Sequence, residues 1–112
     1  MIEKTYADFA WEQAAELLAI DSPSGYTARA ARWVRDAFEK LGFDARITVK
    51  GGVLVDLGGV DDKDGLYLEA HVDTLGAMVS VIKGSGRLKM TGLGGMRPEN
   101  AETENVRVYK AV

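Results

Sequence analysis

His71 and Asp73 are the residues whose types and spacing could do chemistry. His71 is the only histidine in 112 residues, and it lies in the run Leu66-Tyr67-Leu68-Glu69-Ala70-His71-Val72-Asp73. If that apolar run is a strand, residues two apart point to the same face, so the imidazole and the carboxylate project together. A carboxylate beside an imidazole fixes its tautomer and raises the basicity of the other ring nitrogen, which is how many metal sites begin. One histidine and no cysteine cannot close a transition-metal site, so several carboxylates would have to arrive from elsewhere. The alternative for the same pair is a hydrogen-bonded structural histidine near a strand end.

Other constellations carry less. No nucleophile elbow marks a Ser-His-Asp arrangement. The loop from Gly58 to Gly65 holds Asp61, Asp62 and Asp64. It lacks the spaced ligands and terminal glutamate of an EF-hand, so it reads as a solvated turn. Gly92-Leu93-Gly94-Gly95 has neither the lysine-Ser/Thr sequel nor the following helix of a phosphate loop.

The elements that must position the pair can be read from periodicity. Ala7, Trp11, Ala14 and Leu18 recur at helical spacing, which predicts a helix over 5–20 with an apolar face widened by Phe9, Ala10 and Leu17. Asp21-Ser22-Pro23-Ser24-Gly25 breaks it, and Ser24 or Thr27 could cap a second helix over 27–41. The buried stripe of that helix is expected to be Ala30, Val34, Ala37, Phe38 and Leu41. Trp33 falls off the stripe, toward the first helix. Arg32 with Asp36, Arg35 with Glu39 and Asp36 with Lys40 form i,i+4 pairs on its solvent side, and Gly42 is the expected C′ glycine.

From Phe43 the period becomes that of strands. Ala45, Ile47 and Val49 alternate with Arg46, Thr48 and Lys50, and Gly51-Gly52 signals a two-residue hairpin returning through Val53 to Leu57. The 66–72 run reads as a strand buried on both faces, interrupted by Glu69, which would reach an edge or a cavity. A further strand over 75–83 is followed by Gly84-Ser85-Gly86 and by Arg87 to Thr91, with Leu88 and Met90 inward and the basic pair outward. Residues 105–112 read as a last strand. Roughly six strands with two helices to cover them should leave edges and an apolar face exposed, which points to a longer protein or to a partner.

Composition narrows the class. The chain is 46% hydrophobic and 28% charged with a net charge of -3, values of an ordinary folded domain and not of a disordered segment. No basic footprint favours nucleic acid or an anionic membrane. The start, Met1-Ile2-Glu3-Lys4, leads into an amphipathic stretch and not into a signal peptide, and no run approaches the ~20 apolar residues of a membrane span. The absence of cysteine suits a reducing cytoplasm.

Leu68-Glu69-Ala70-His71-Val72-Asp73-Thr74-Leu75-Gly76-Ala77-Met78-Val79 resembles the signature of the tetrahedral, dinuclear-metal aminopeptidases of the zinc-exopeptidase superfamily. That family includes glutamyl, leucyl and deblocking aminopeptidases, some of them labelled endoglucanases. Ile20-Asp21-Ser22-Pro23-Ser24-Gly25 is similar to the family's first helix-to-helix turn. Leu93-Gly94-Gly95 and Ala101-Glu102-Thr103-Glu104-Asn105-Val106 are similar to the entry into its inserted dimerisation domain. Peptidases of the carboxypeptidase and deacylase type share the His-x-Asp element but typically continue toward Val-Pro, where this chain has Leu75-Gly76-Ala77-Met78.

The resemblance implies an α/β fold. Two N-terminal helices would precede a mixed sheet of the zinc-exopeptidase type, which runs into a β-rich insertion. Residues 1–73 would be the N-terminal part of the catalytic domain and residues 74–112 the beginning of the insertion. His71 would be a ligand to one of two divalent ions, zinc or cobalt. Asp73 would be the catalytic-site carboxylate that orients it. Where the family usually has an acidic residue, this chain has Thr74. The bridging aspartate, the general-base glutamate and the remaining ligands are expected outside these 112 residues, so the chain resembles the first third of a peptide-cleaving homo-oligomer and is expected to be inactive alone. A non-catalytic α/β interaction module is the reading from a different class.

Overall fold

The computed structural model describes residues 4–61 and 63–110. The start of the chain at 1–3, Asp62 of the acidic loop and the last two residues of the expected final strand lie outside the described residues. The chain divides between Asp73 and Thr74 into two compact units.

In the first unit, α1 spans Lys4–Leu18 and α2 spans Ala28–Lys40. Alanine, leucine and glutamate, all strong helix formers, fill most of α1. Its last turn tightens through a bond from the Ile20 N–H to the Leu17 carbonyl before Asp21 to Pro23 end it. The expected burial of its apolar stripe is not realised: Trp11 and Leu18 are exposed. Instead Phe9, Gln13 and Glu16 share an open groove with Trp33 and Ala37 of α2, so Trp33 does face the first helix.

The end of α2 is set by glycine. Gly42 takes φ +89°, and its N–H bonds the Glu39 carbonyl at 2.9 Å while the Phe43 N–H reaches the Phe38 carbonyl at 3.1 Å. This is a Schellman turn, and the apolar contact that accompanies such turns is present as an edge-to-face pair of Phe38 and Phe43, with ring centres 6.3 Å apart. A pair of this kind contributes about 0.5–1.5 kcal/mol beyond area burial. The turn delivers the chain into β1, Ala45–Ile47, which pairs antiparallel with β2, Val53–Val55. Among the described residues, Ala30 and Ala31 of α2 and Ala45 of β1 are the buried apolar ones. Their small side chains let helix and hairpin approach closely. Val34, Ala37 and Phe38 of the expected stripe are half-buried, and Leu41 is exposed. Of the three expected i,i+4 ion pairs, the Arg35–Glu39 pair is formed at 3.9 Å, and Arg35 also binds its neighbour Asp36.

In the second unit, β3 spans Gly76–Ile82 and pairs antiparallel with β4, Leu88–Leu93. Both hairpins use one turn design. The Gly51 N–H bonds the Thr48 carbonyl and the Gly86 N–H bonds the Lys83 carbonyl, each at 2.9 Å. The two glycines have φ of +85° and +82°. Each loop therefore has three residues closed by a left-handed glycine, in place of the two-residue Gly51-Gly52 turn the sequence predicts. A bulge lies between Val79 and Val81, where the Ser80 hydroxyl donates to the Lys89 carbonyl at 3.1 Å. Leu88 and Met90, expected inward, are exposed because no layer within this unit covers that face. A 3-10 turn, Pro98–Asn100, follows, and residues 105–110 form no strand.

Gly92 pairs with Ala77, and a Cβ built on it would lie 2.8 Å from the backbone oxygen of Met96. A backbone atom cannot swing aside as a side chain can. Gly92→Ala is therefore expected to destabilise the β3–β4 unit by about 1–3 kcal/mol, measured as lost hydrogen-exchange protection of the β3 amides.

Two expectations about the sheet are corrected. The observed strands form two separate two-stranded antiparallel sheets and not one mixed sheet. The 66–72 run is not a ladder strand, because β1 and β2 pair only with each other and leave it no partner among the described residues. Leu66, Tyr67 and Leu68 are 86%, 74% and 72% exposed, the reverse of burial on both faces.

Candidate metal centre

The turn between the helices builds one side of the site. The Tyr26 N–H bonds the Pro23 carbonyl at 2.8 Å, and Gly25 sits at φ +86°, the third turn position where glycine is favoured. Proline restricts the entry to this turn. Between Pro23 and Gly25 stands Ser24, whose hydroxyl donates to Asp73 Oδ2 at 2.7 Å. It caps no helix. Thr27 occupies the N-cap of α2, without a side-chain capping bond.

The other side of the site is the segment carrying His71 and Asp73. His71 Nδ1 lies 3.0 Å from the Asp73 backbone oxygen and 3.1 Å from Asp73 Oδ1. Both partners are acceptors, so in the neutral ring this geometry favours the proton on Nδ1 and the lone pair on Nε2. The structure thus brings together the two residues singled out in the sequence, through hydrogen bonds and not through a sheet ladder. The His71 side chain is 86% exposed and that of Asp73 44% exposed. His71 shares an open depression with Glu69 and Ala70, so Glu69 stands beside the histidine on an exposed surface.

The Asp73 carboxyl is held below the ordinary carboxylate range, first by the Ser24 hydroxyl and less by His71, with desolvation opposing both. It is an anion at neutral pH. Because the folded value lies below the unfolded one, the linked stabilisation is complete above the unfolded value and is lost as the pH falls through the folded one.

Of the two cap candidates the sequence offers, Thr27 takes the N-cap position and Ser24 instead finds a partner 49 positions away. The one available signal was that Ser24 lies in the Ile20–Gly25 turn that resembles the peptidases. Its neighbour Ser22 is buried, and among the described residues its hydroxyl has no hydrogen-bond partner. A buried orphan of this kind costs about 1–3 kcal/mol. Ser22→Ala is therefore expected to leave the thermal midpoint unchanged or to raise it, and a clear fall on thermal unfolding would show that the hydroxyl is satisfied.

Among the described residues no group of three or more histidine, cysteine, aspartate or glutamate side chains is arranged to hold a metal ion. The residues present fit one corner of such a site: a single exposed imidazole whose Nδ1 faces two acceptors.

Residues 51–112, more than half of the chain, match the family model of the M42 glutamyl aminopeptidases, and the chain belongs to that family. It is similar to the putative aminopeptidase YhfE of Bacillus subtilis, at 38% identity over 96 residues, covering 86% of this chain and 28% of that protein. A glutamyl aminopeptidase of Lactococcus lactis is 29% identical over 83 residues, covering 73% of this chain and 23% of its own length. A lysyl aminopeptidase of Pyrococcus furiosus is 27% identical over 100 residues, covering 88% and 28%. The chain therefore spans about a quarter of the length of the curated relatives it matches. No helix among the described residues is long and apolar enough to cross a membrane.

Proposed function

We propose that this chain is the N-terminal segment of a dinuclear-metal aminopeptidase that removes N-terminal residues from peptides in the cytoplasm as a homo-oligomer. In this reading residues 1–73 open the catalytic domain and residues 74–112 begin a β-rich dimerisation insertion. The observation that carries it is the His71–Asp73 geometry in a chain of the M42 family. Nδ1–H is tied to a carboxylate and a backbone oxygen, and Nε2 is left free to bind.

Two divalent ions, zinc or cobalt, would supply Lewis-acid activation of the peptide carbonyl and of water. This chain would supply one part of the holding. His71 offers Nε2 as one ligand, and Asp73 keeps the proton on Nδ1 and balances part of the added charge. The other ligands and the general base would come from sequence outside residues 1–112. The names glutamyl and lysyl borne by two relatives cite opposite side-chain charges, so family membership does not select a substrate side chain.

One experiment tests the ligand assignment. Cobalt titrated into the chain is expected to broaden the His71 ring resonances before any others. Broadening centred on the acidic loop between Asp56 and Asp64 would move the site there. In the same samples, aminoacyl-anilide substrates are expected to show no turnover above the metal alone, and turnover by the 112-residue chain would overturn the assignment of the general base to other sequence. The exposed apolar residues Leu66, Tyr67 and Leu68 favour a second reading, a non-catalytic module whose extended 66–72 segment pairs with a partner strand.

A further inference from the structure

We propose that Ser24 is a positioning residue of this site: its hydroxyl locks the Asp73 carboxylate in the orientation that fixes the His71 tautomer. The geometry is a relay with each carboxylate oxygen assigned. Oδ2 accepts from Ser24 at 2.7 Å, and Oδ1 lies 3.1 Å from His71 Nδ1. An aspartate's last torsion is broad and nearly two-fold, so a half-exposed carboxylate with one partner would rotate freely among solvated positions. A second partner on the opposite oxygen removes that freedom. The bond is of the strong, charge-assisted O–H···O⁻ kind.

His71 depends on this more than a packed histidine would. Its ring is 86% exposed, so neighbours do not clamp it and hydrogen bonds must set its direction. Both of those bonds go to Asp73, one to the backbone oxygen and one to the carboxylate. Ser24 is itself anchored well. It lies in a turn closed by the Tyr26-to-Pro23 bond, with Gly25 in the left-handed region and Ser22 buried just before it. The helix-to-helix turn therefore reaches 49 residues along the chain and aims a nitrogen that it does not touch.

His71 is the single histidine, so its imidazole nitrogens give unambiguous ¹⁵N resonances. In the metal-free chain, at a pH where the ring is neutral, the wild type is expected to show predominantly the Nδ1–H tautomer. Ser24→Ala is expected to shift the ring toward a mixture of tautomers and to lower zinc affinity by about 10-fold. Ser24→Thr, which keeps the hydroxyl, is expected to restore both. Ser22→Ala, a change in the same turn, is expected to leave both as they are, which separates positioning from a general loosening of the turn. The proposal is overturned if Ser24→Ala keeps the wild-type tautomer, if Ser24→Thr behaves as alanine does, or if Ser22→Ala reproduces the effect. The zinc arm rests on His71 being a ligand; the tautomer arm does not. A tautomer shift in a chain whose zinc binding ignores His71 would overturn the ligand reading and leave the positioning role of Ser24 supported.

Discussion

His71→Ala is expected to abolish site-specific zinc or cobalt binding by the chain. His71 is the only imidazole, there is no thiolate, and no cluster of three ligating side chains exists among the described residues. Once Nε2 is gone, only scattered carboxylates remain, and these are poor ligands for zinc when they do not converge. The wild-type chain is itself expected to bind weakly, because a chelated ion needs more than one good ligand. The measurement is zinc competition against a chromophoric chelator, run on wild type and variant together. Tight stoichiometric binding that survives His71→Ala would place the site elsewhere in the chain. Backbone stability is expected to change little, since the side chain is 86% exposed and covers no core.

Asp73→Asn is expected to weaken the same binding by about 10- to 100-fold, the usual cost of losing the group that orients a metal-bound histidine. The substitution keeps size and shape and changes the hydrogen-bonding grammar. A carboxylate offers acceptors on both oxygens, so it can take the Ser24 hydroxyl and the Nδ1 proton together. An amide has one oxygen and one NH₂ group. If its oxygen serves Ser24, its NH₂ faces Nδ1 and only the Asp73 backbone oxygen still accepts the Nδ1 proton. The ring is then pushed toward the tautomer with the proton on Nε2, the atom needed for the metal. If its oxygen serves His71, the NH₂ faces Ser24, whose hydroxyl must then accept instead of donate, and the charge that strengthened the arrangement is gone. Both arrangements weaken the ligand. The checks are the ring ¹⁵N resonances without metal and the zinc affinity with it. An unchanged affinity in Asp73→Asn would reduce the pair to an incidental surface contact.

The legible parts of this protein are the local ones. The helices lie within a residue or two of their predicted bounds, because apolar spacing and the Pro23 and Gly42 signals act over a few residues. The hairpins formed where glycines follow alternating runs, although the first loop holds three residues and not the expected two. What failed required knowledge of neighbours. A run as apolar as 66–72 looks like a buried strand, but a strand exists only where another chain segment supplies its ladder, and neither hairpin does so. The burial expected for Trp11, Leu18, Leu88 and Met90 failed for the same reason. An apolar stripe states a demand for cover and cannot say whether cover is present.

At the site, the sequence by itself determined that one imidazole and one carboxylate stand two residues apart, a spacing short enough to meet in extended backbone. It also determined which family the chain resembles. The tertiary structure alone decided which nitrogen of His71 faces acceptors, with two of them placed about 3 Å from Nδ1. It alone brings the Ser24 hydroxyl to the Asp73 carboxylate. A hydroxyl and a carboxylate 49 residues apart leave no periodic trace in a sequence, and only the path of the folded chain brings them within 2.7 Å.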